Sequence, residues 1–534
     1  MVMIALIIVA ATAYALSVFY GYKLYHRYFE KAFWDRLLLA ITPFLSTEAV
    51  LYMISKVLTI PFHDWSNCRL APTISLLYGY NLYYTTDGPL TNMIYGPVTA
   101  FAYLPSAIAS TPTGALTIAG FISVFMYFGP VALLLWLFCK DDRKKLFYGL
   151  ISFLLFFFLT ILHEGMILSA FTVHSDSIAL GLSMTACVFL LARKDSHKKL
   201  LMTLLSALFV TLSIWTKQTL VPIIFTLPLF VLLSEGVKEF VKYTIILTIV
   251  GLTVSALFFG FMDIDAWYLN AILVPAKHPW NKSVVKMIKL LLIYILPFGL
   301  VFLTYLKLFL VAKTGLPERL GIIRQYIKLI VVEPWFLLIV NAAFLFPLSI
   351  LGVVKQGGME TSFSLCAYYL MAGAALLASD MTAKNMDMHL DILNSITKSF
   401  TVIFLTVFFL VADPLFRNLA VLKDFERNPS QIAYEFSRQN PGKAYFPYHI
   451  LSTLMAEGKL YHFDHALIDR YFAGMSLSRE QFMKYIPQNM DYLIYPANNC
   501  TLYAQTNYLK DFTKKIDSNE LQGLRVFVKE NEGK

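Results

Sequence analysis

Uncharged apolar runs of about twenty residues recur through most of the first 416 positions of this 534-residue chain. A bilayer's hydrocarbon core is about 30 Å thick and takes roughly 20 helical residues to cross. Inside it every backbone polar group must find a partner within the protein, so only helices and closed barrels span it. Barrel strands would be short and alternating, whereas these runs are long and continuous. The chain is 58% hydrophobic and 15% charged, with a mean hydropathy of +0.62, outside the usual range of a soluble domain. The expectation is an all-α polytopic membrane protein of about twelve transmembrane helices.

Spans fall near residues 37–60, 113–138, 147–163, 177–192, 200–215, 219–233, 243–262, 288–311, 329–351, 362–379 and 399–416. Met1–Tyr20 is a further apolar run. It carries Ala13-Tyr14-Ala15, which resembles a signal-peptidase site, but no positive charge precedes it and the run continues beyond it. It reads as a retained helix, with a cleaved signal as the other reading.

The loops between spans fix an orientation. One alternating set (22–36, 139–146, 193–199, 234–242, 313–328, 380–398) carries 20 Lys and Arg, and the other (61–97, 164–176, 216–218, 263–287, 352–361) carries 6. The positive-inside rule assigns the first set to the cytoplasm. The net charge of +10 is then loop bias and attraction to anionic headgroups, and no basic, aromatic-interleaved patch points to nucleic acid. The five cysteines have no metal-site spacing. Beyond residue 416 the chain turns polar. By parity residues 417–534 form a small extracytoplasmic α/β domain, with strands near Lys443–Phe446 and Met490–Tyr495 and helices near Ile450–Glu457 and Arg479–Ile486.

Short polar islands fall on the outer side of this topology. The longest, within the loop 61–112, holds His63, Asp64, Arg69, Asp87 and Tyr95; others are His174-Ser175-Asp176-Ser177, Thr216-Lys217-Gln218 and Lys355-Gln356-Gly357-Gly358. Asp64, at a membrane surface beside a His and a Trp, suits a general base toward a hydroxyl, or else caps a helix starting near Ser66. Asp87 sits in a turn-like Thr-Thr-Asp-Gly-Pro context. Asp176 precedes an apolar run, where a cap or a second acid facing an aqueous cavity both fit. Lys217 and Lys355 are isolated cations on a side poor in lysine, suited to a lipid phosphate or to snorkelling. Lys277–Trp280 is a weaker candidate. The loop tyrosines suit sugar stacking or, for most, an interfacial belt. His449, His462 and His465 read as ordinary surface or core histidines. Cys68 and Cys500 fall on the same side, so a disulfide between them is an expectation.

The order of these elements resembles the GT-C superfamily of polytopic glycosyltransferases, in particular the dolichyl-phosphate-mannose mannosyltransferase-like group. The likeness covers residues 37–379 and rests on Asp64 opening a long outer loop, Ile94-Tyr95-Gly96-Pro97, His174-Ser175-Asp176, Thr216-Lys217-Gln218 and Lys355–Gly358. It implies an integral enzyme with a GT-C-like domain over 1–416. Such an enzyme moves a hexose or pentose from a polyprenyl-phosphate-linked donor to a lipid or glycan hydroxyl, with inversion. It implies Asp64 and Asp176 as catalytic acids. His63, Arg69, Asp87, Tyr95, His174, Lys217, Gln218 and Lys355 would be substrate-binding. Some members use a divalent cation, Mg or Mn, which Asp64 and Asp176 would hold; here Trp65 stands where a second acid commonly follows the first. The implied location is a bacterial inner membrane. A lipid-linked glycan ligase or polymerase, or a transporter or flippase, are the competing readings. Against the last, the polar residues cluster at span ends rather than the midplane, and no internal repeat is visible.

Overall fold

A computed structural model describes residues 33–280, 330–384, 413–497 and 503–529, apart from 92, 141–142, 194–196, 357, 359 and 519, together with five single positions between 281 and 329. The expected N-terminal helix, most of 288–311 and 399–416, and Cys500 lie outside the described residues.

The expected apolar spans appear as helices: α1 (Phe33–Thr59), α4 (Pro112–Cys139), α5 (Arg143–Ile161), α7 (Ser175–Ala192), α8 (Lys199–Thr216), α9 (Ile223–Glu235), α10 (Val237–Phe261), α11 (Pro334–Val354) and α12 (Thr361–Lys384). Between them lie α2 (Asp64–Ser75) and α3 (Val98–Tyr103) in the first loop, and α6 (Glu164–Phe171) after α5. Among the described residues eight helices are long and apolar enough to cross a membrane, or nine if the broken pair is one span. The protein is an integral membrane protein by these helices. The span expected over 147–163 ends near where it was placed, and the second piece of the broken pair is a helix inside the loop expected over 164–176. The chain turns by 107° between Ile161 and Glu164, and His163 caps the second piece by accepting from Met166 N through Nδ1 at 3.2 Å.

α7 and α12 form the centre: 78% and 89% of their apolar windows are buried, against 6% for α10, which lies at the periphery. Small residues allow this packing. Gly181 of α7 lies against the Met126 carbonyl of α4, where a Cβ would stand 2.1 Å from the oxygen. Thr111 starts α4 by accepting from Gly114 N at 3.2 Å, with Pro112 at the first helical position.

Residues 429–529 hold α13 (Pro429–Gln439), α14 (Ile450–Glu457), α15 (Asp464–Phe472) and two shorter helices, Arg479–Met483 and Tyr503–Asn507. They also hold a four-stranded sheet in the order β1-β2-β4-β3: β1 (Ala444–Tyr445), β2 (Tyr492–Pro496), β3 (Phe512–Ile516) and β4 (Leu524–Lys529). β1 and β2 are parallel, and the other pairs antiparallel. The first two strands and α14 fall where the sequence placed them. β3, β4 and α15 were not expected.

This C-terminal segment lies on the first loop and shares a core with it. Cys68, Leu70 and Ile74 of α2 pack in one cluster with Tyr448, Leu451, Leu454 and Phe463. Asn67 is fully buried and satisfied. Its amide donates to Ser430 Oγ at 3.1 Å and Ser452 Oγ at 2.9 Å, and its oxygen accepts from Leu451 N at 2.9 Å. Cys68 is a free thiol that donates to the Tyr448 carbonyl at 2.9 Å, contrary to the expected disulfide.

Candidate active site

A cavity of about 810 Å³ lies where the first loop, the ends of α8 and α11, the segment 271–280 and α15 meet. Its floor is built from the start of α7. His174 caps that helix: its Nδ1 accepts from Asp176 N at 3.1 Å, so the ring proton sits on Nε2, which points to Tyr95 Oη at 3.5 Å. Burial, reinforced by the Arg69 guanidinium, holds His174 at a pKa of about 4. Its 3.2 Å approach to Asp176 Oδ1 is therefore no ion pair at neutral pH.

Asp176 is fully buried beneath this cap. Oδ1 is bound by the ammonium of Lys217, and Oδ2 accepts from Ser169 Oγ at 2.9 Å. The sequence allowed Asp176 as a helix cap or as a second acid facing an aqueous cavity. Both its oxygens are engaged within the protein, and the Lys217 it binds lines the cavity with its remaining N–H donors. Lys217 can stand there because α8 ends at Thr216 and the loop comes close. Gly96 N donates to Thr216 O at 3.0 Å, and a Cβ on Gly96 would stand 1.7 Å from Trp215 O. Only glycine allows that approach, which sets Tyr95 beside Lys217, with the ammonium 5.9 Å from the ring centroid.

One face of α2 supplies Trp65, Arg69 and Pro72 to the cavity, at spacings of four and three residues. Arg69 lies over the Trp65 ring at 5.3 Å and has neither an ion pair nor a hydrogen bond among the described residues. Asp64 is the first residue of this helix rather than its cap, which is His63. It is half-buried, and burial raises its carboxyl to about 6. It lies about 100° round the helix from Trp65 and, like His63, is not among the residues lining the cavity. Burial lowers the His63 imidazole to about 4, and its Nδ1 has no partner.

The remaining candidates have other duties. Gln218 lines the cavity, but its amide ties down Ile94 O at 3.2 Å and Ala271 O at 2.6 Å. Lys355 donates to Pro275 O and Ala276 O, both at 2.9 Å, and lies over Trp280 at 5.3 Å, closing the 271–280 segment onto the end of α11. Asp87 is away from the cavity. It is exposed and accepts from Tyr485 Oη at 3.0 Å, with Lys484 Nζ at 3.4 Å, so it tethers the loop to the C-terminal segment.

Three lining groups escaped the sequence reading: Tyr103, His465 and Asp469. His465, read as an ordinary histidine, packs edge-on to Trp65 at 4.1 Å. No group of three or more His, Cys, Asp or Glu among the described residues is placed to hold a metal ion. Asp64 and Asp176 do not fit one together, since a cation at Asp176 would meet the Lys217 ammonium.

Structural comparison supplies the fold. ArnT from Cupriavidus metallidurans, in a crystal structure with undecaprenyl phosphate, superposes with a TM-score of 0.50 over 93% of this chain and 99% of that one, at 11% identity. The chain has the GT-C fold. Two further solved structures align less well. They are apo ArnT from the same organism (TM-score 0.42, 11% identity, 90% and 97% covered) and the oligosaccharyltransferase AglB from Archaeoglobus fulgidus (0.40, 9%, 91% and 74%). No family model and no curated protein matches the sequence. In this GT-C chain the cavity therefore lies where a mainly helical bundle meets a first loop and a C-terminal segment that pack as one.

Proposed function

We propose that this protein is an integral membrane glycosyltransferase. It moves a sugar from a polyprenyl-phosphate-linked donor to a hydroxyl of a lipid or glycan acceptor at the extracytoplasmic face. The observation that carries this reading is Arg69, a partly buried guanidinium lining the cavity with no ion-pair or hydrogen-bond partner among the described residues. A cation partly withdrawn from water without an acid beside it is costly, and a bound anion would relieve it. Lys217 and the Nε2–H of His174 line the same cavity. The GT-C likeness, with undecaprenyl phosphate in the ArnT crystal structure, suggests that the anion is a lipid phosphate.

In this reading the acceptor oxygen attacks the anomeric carbon, that bond forms, and the bond from the carbon to the phosphate oxygen breaks. A single displacement inverts the centre. Negative charge grows on the departing phosphate, where Arg69 and the free N–H donors of Lys217 stabilise it. The acceptor's proton goes to Asp64, which precedes the lining Trp65 and whose raised pKa of about 6 still leaves most of it ionised at neutral pH.

The test is turnover in proteoliposomes with a panel of polyprenyl-phosphate sugars and lipid extracts. Wild type releases sugar from one donor, and Asp64→Asn slows release by about 10²–10⁴-fold. Arg69→Ala weakens binding of the bare lipid phosphate. Equal turnover by Asp64→Asn would move the base elsewhere, and no release from any donor by folded wild type would end the reading.

A further inference from the structure

The cavity has two chemically different sides. Arg69, Lys217 and His174 line one. The other is made by α15 and the 271–280 segment. On α15 the partly buried residues His465, Asp469 and Phe472 follow a spacing of four and three, and all line the cavity. The rest of the helix is fixed. Ala466 and Leu467 are in the core, and Arg470 is buried with its guanidinium on Tyr84 O at 3.1 Å, Thr85 O at 3.0 Å and Asn270 Oδ1 at 3.0 Å. Contacts run from one side to the other as Arg69 on Trp65, Trp65 on His465, then one helical turn to Asp469, then His278.

Asp469 and His278 face each other without a bond. His278 Nδ1 lies 3.2 Å from Gln356 O, which only accepts, so Nδ1 carries the ring proton and Nε2 offers a lone pair. Nε2 is buried, has no hydrogen-bond partner, and stands 3.7 Å from Asp469 Oδ1. That is beyond hydrogen-bond length. Asp469 Oδ1 and His278 Nε2 thus stand together at the cavity wall with no hydrogen bond between them, and burial raises the Asp469 carboxyl to about 7, so it accepts when ionised and can donate when protonated. Beside them are the ring of Phe472, 6.0 Å from that of His278, and Trp280, a lining residue that is 56% exposed.

Such a hydrogen-bonding pair beside aromatic faces suits a group that brings hydroxyls and apolar C–H faces together. Asp469 in its ionised form would repel a phosphate here. We infer that Asp469 and His278 form a hydroxyl-binding subsite for a sugar ring, so that the C-terminal segment recognises the sugar while Arg69 and Lys217 take the phosphate. This deepens the reading above and rests on it for the phosphate end. Asp469 is a positioning and specificity residue. The ring it binds belongs either to the donor or to the acceptor glycan.

The test is ligand-dependent thermal stabilisation of the full chain in nanodiscs without turnover. The ligands are bare polyprenyl phosphate, its glycosyl esters, and free methyl glycosides as stand-ins for an acceptor glycan. Bare lipid phosphate should stabilise wild type, Asp469→Asn and Asp469→Ala alike. A matching sugar should add stabilisation in wild type that both variants lose, with a Kd raised about ten- to a hundredfold for one charged hydrogen bond. An increment seen only with the glycosyl ester assigns the subsite to the donor, and one seen with the free glycoside assigns it to the acceptor. Sugar binding that survives in both variants, or no Asp469-dependent binding of any sugar, overturns the subsite. Failure of wild type to bind bare lipid phosphate would instead overturn the phosphate reading, and the glycoside arm would still decide the role of Asp469.

Discussion

Two carboxylates illustrate how burial divides labour between like residues. Asp64 has its carboxyl raised from 3.8 to about 6 because burial disfavours the charge. The folded state therefore holds that proton more tightly than the unfolded one, so this group's contribution to stability falls as pH rises between those values. As a base it acts only when ionised. Turnover should fall about tenfold per unit below pH 6, read from a pH–rate profile in proteoliposomes. Asp64→Asn should lose turnover and yet melt at a higher temperature than wild type at pH 7, an outcome that a purely structural Asp64 would not give. Asp176 is the opposite case. Lys217→Met strips its counter-ion, and a buried charge left without its partner costs about 3–5 kcal/mol. Thermal unfolding in nanodiscs should show that loss, and the double variant Lys217→Met/Asp176→Asn should recover part of it. Asp87→Asn, changing an exposed tether, should leave turnover unchanged.

At the scale of elements, the close approach of the Ile94–Pro97 segment to the end of α8 holds the site's geometry. Gly96→Ala places a Cβ against the Trp215 carbonyl, where no flexible side chain can yield. It should lower both melting temperature and turnover, whereas Gly442→Ala, in a turn with open space, should change stability through backbone strain alone and leave turnover intact. The elements themselves divide by how local their signal is. Spans such as α4, α8 and α11 were legible because twenty apolar residues suffice to declare them. The end of α5 was legible near 163, but the helix α6 that follows was not, since in a segment assigned to a loop only the cap at His163 signals a new helix. β4 carried a readable signal in Val526, Phe527 and Val528, a short β-branched and aromatic run bounded by Arg525 and Lys529. The His465, Asp469, Phe472 spacing was equally present, but nothing local says that this face of α15 meets α2.

For the whole molecule, the sequence located the polar islands and their order, and structure brought Arg69, Tyr95, His174, Lys217, Gln218 and Lys355 to one cavity. It could not disclose the wall that residues 465–472 add, nor that Asp176 lies beneath the floor, since both depend on contacts between distant parts of the chain. The shared core predicts that a chain stopped at residue 416 fails as a whole. With Cys68, Leu70 and Ile74 uncovered it should aggregate on size exclusion in detergent, while the full chain runs as a single species. The bonds of Asn67 add a matter of timing. Its partners lie 363 to 385 residues further along. At the ~5–20 residues per second of synthesis, the first loop waits on the order of 20–70 s for the groups that complete it. During that interval the nascent chain has its membrane-spanning helices but an unfinished chamber, with the amide of Asn67 waiting for Ser430, Leu451 and Ser452 to emerge.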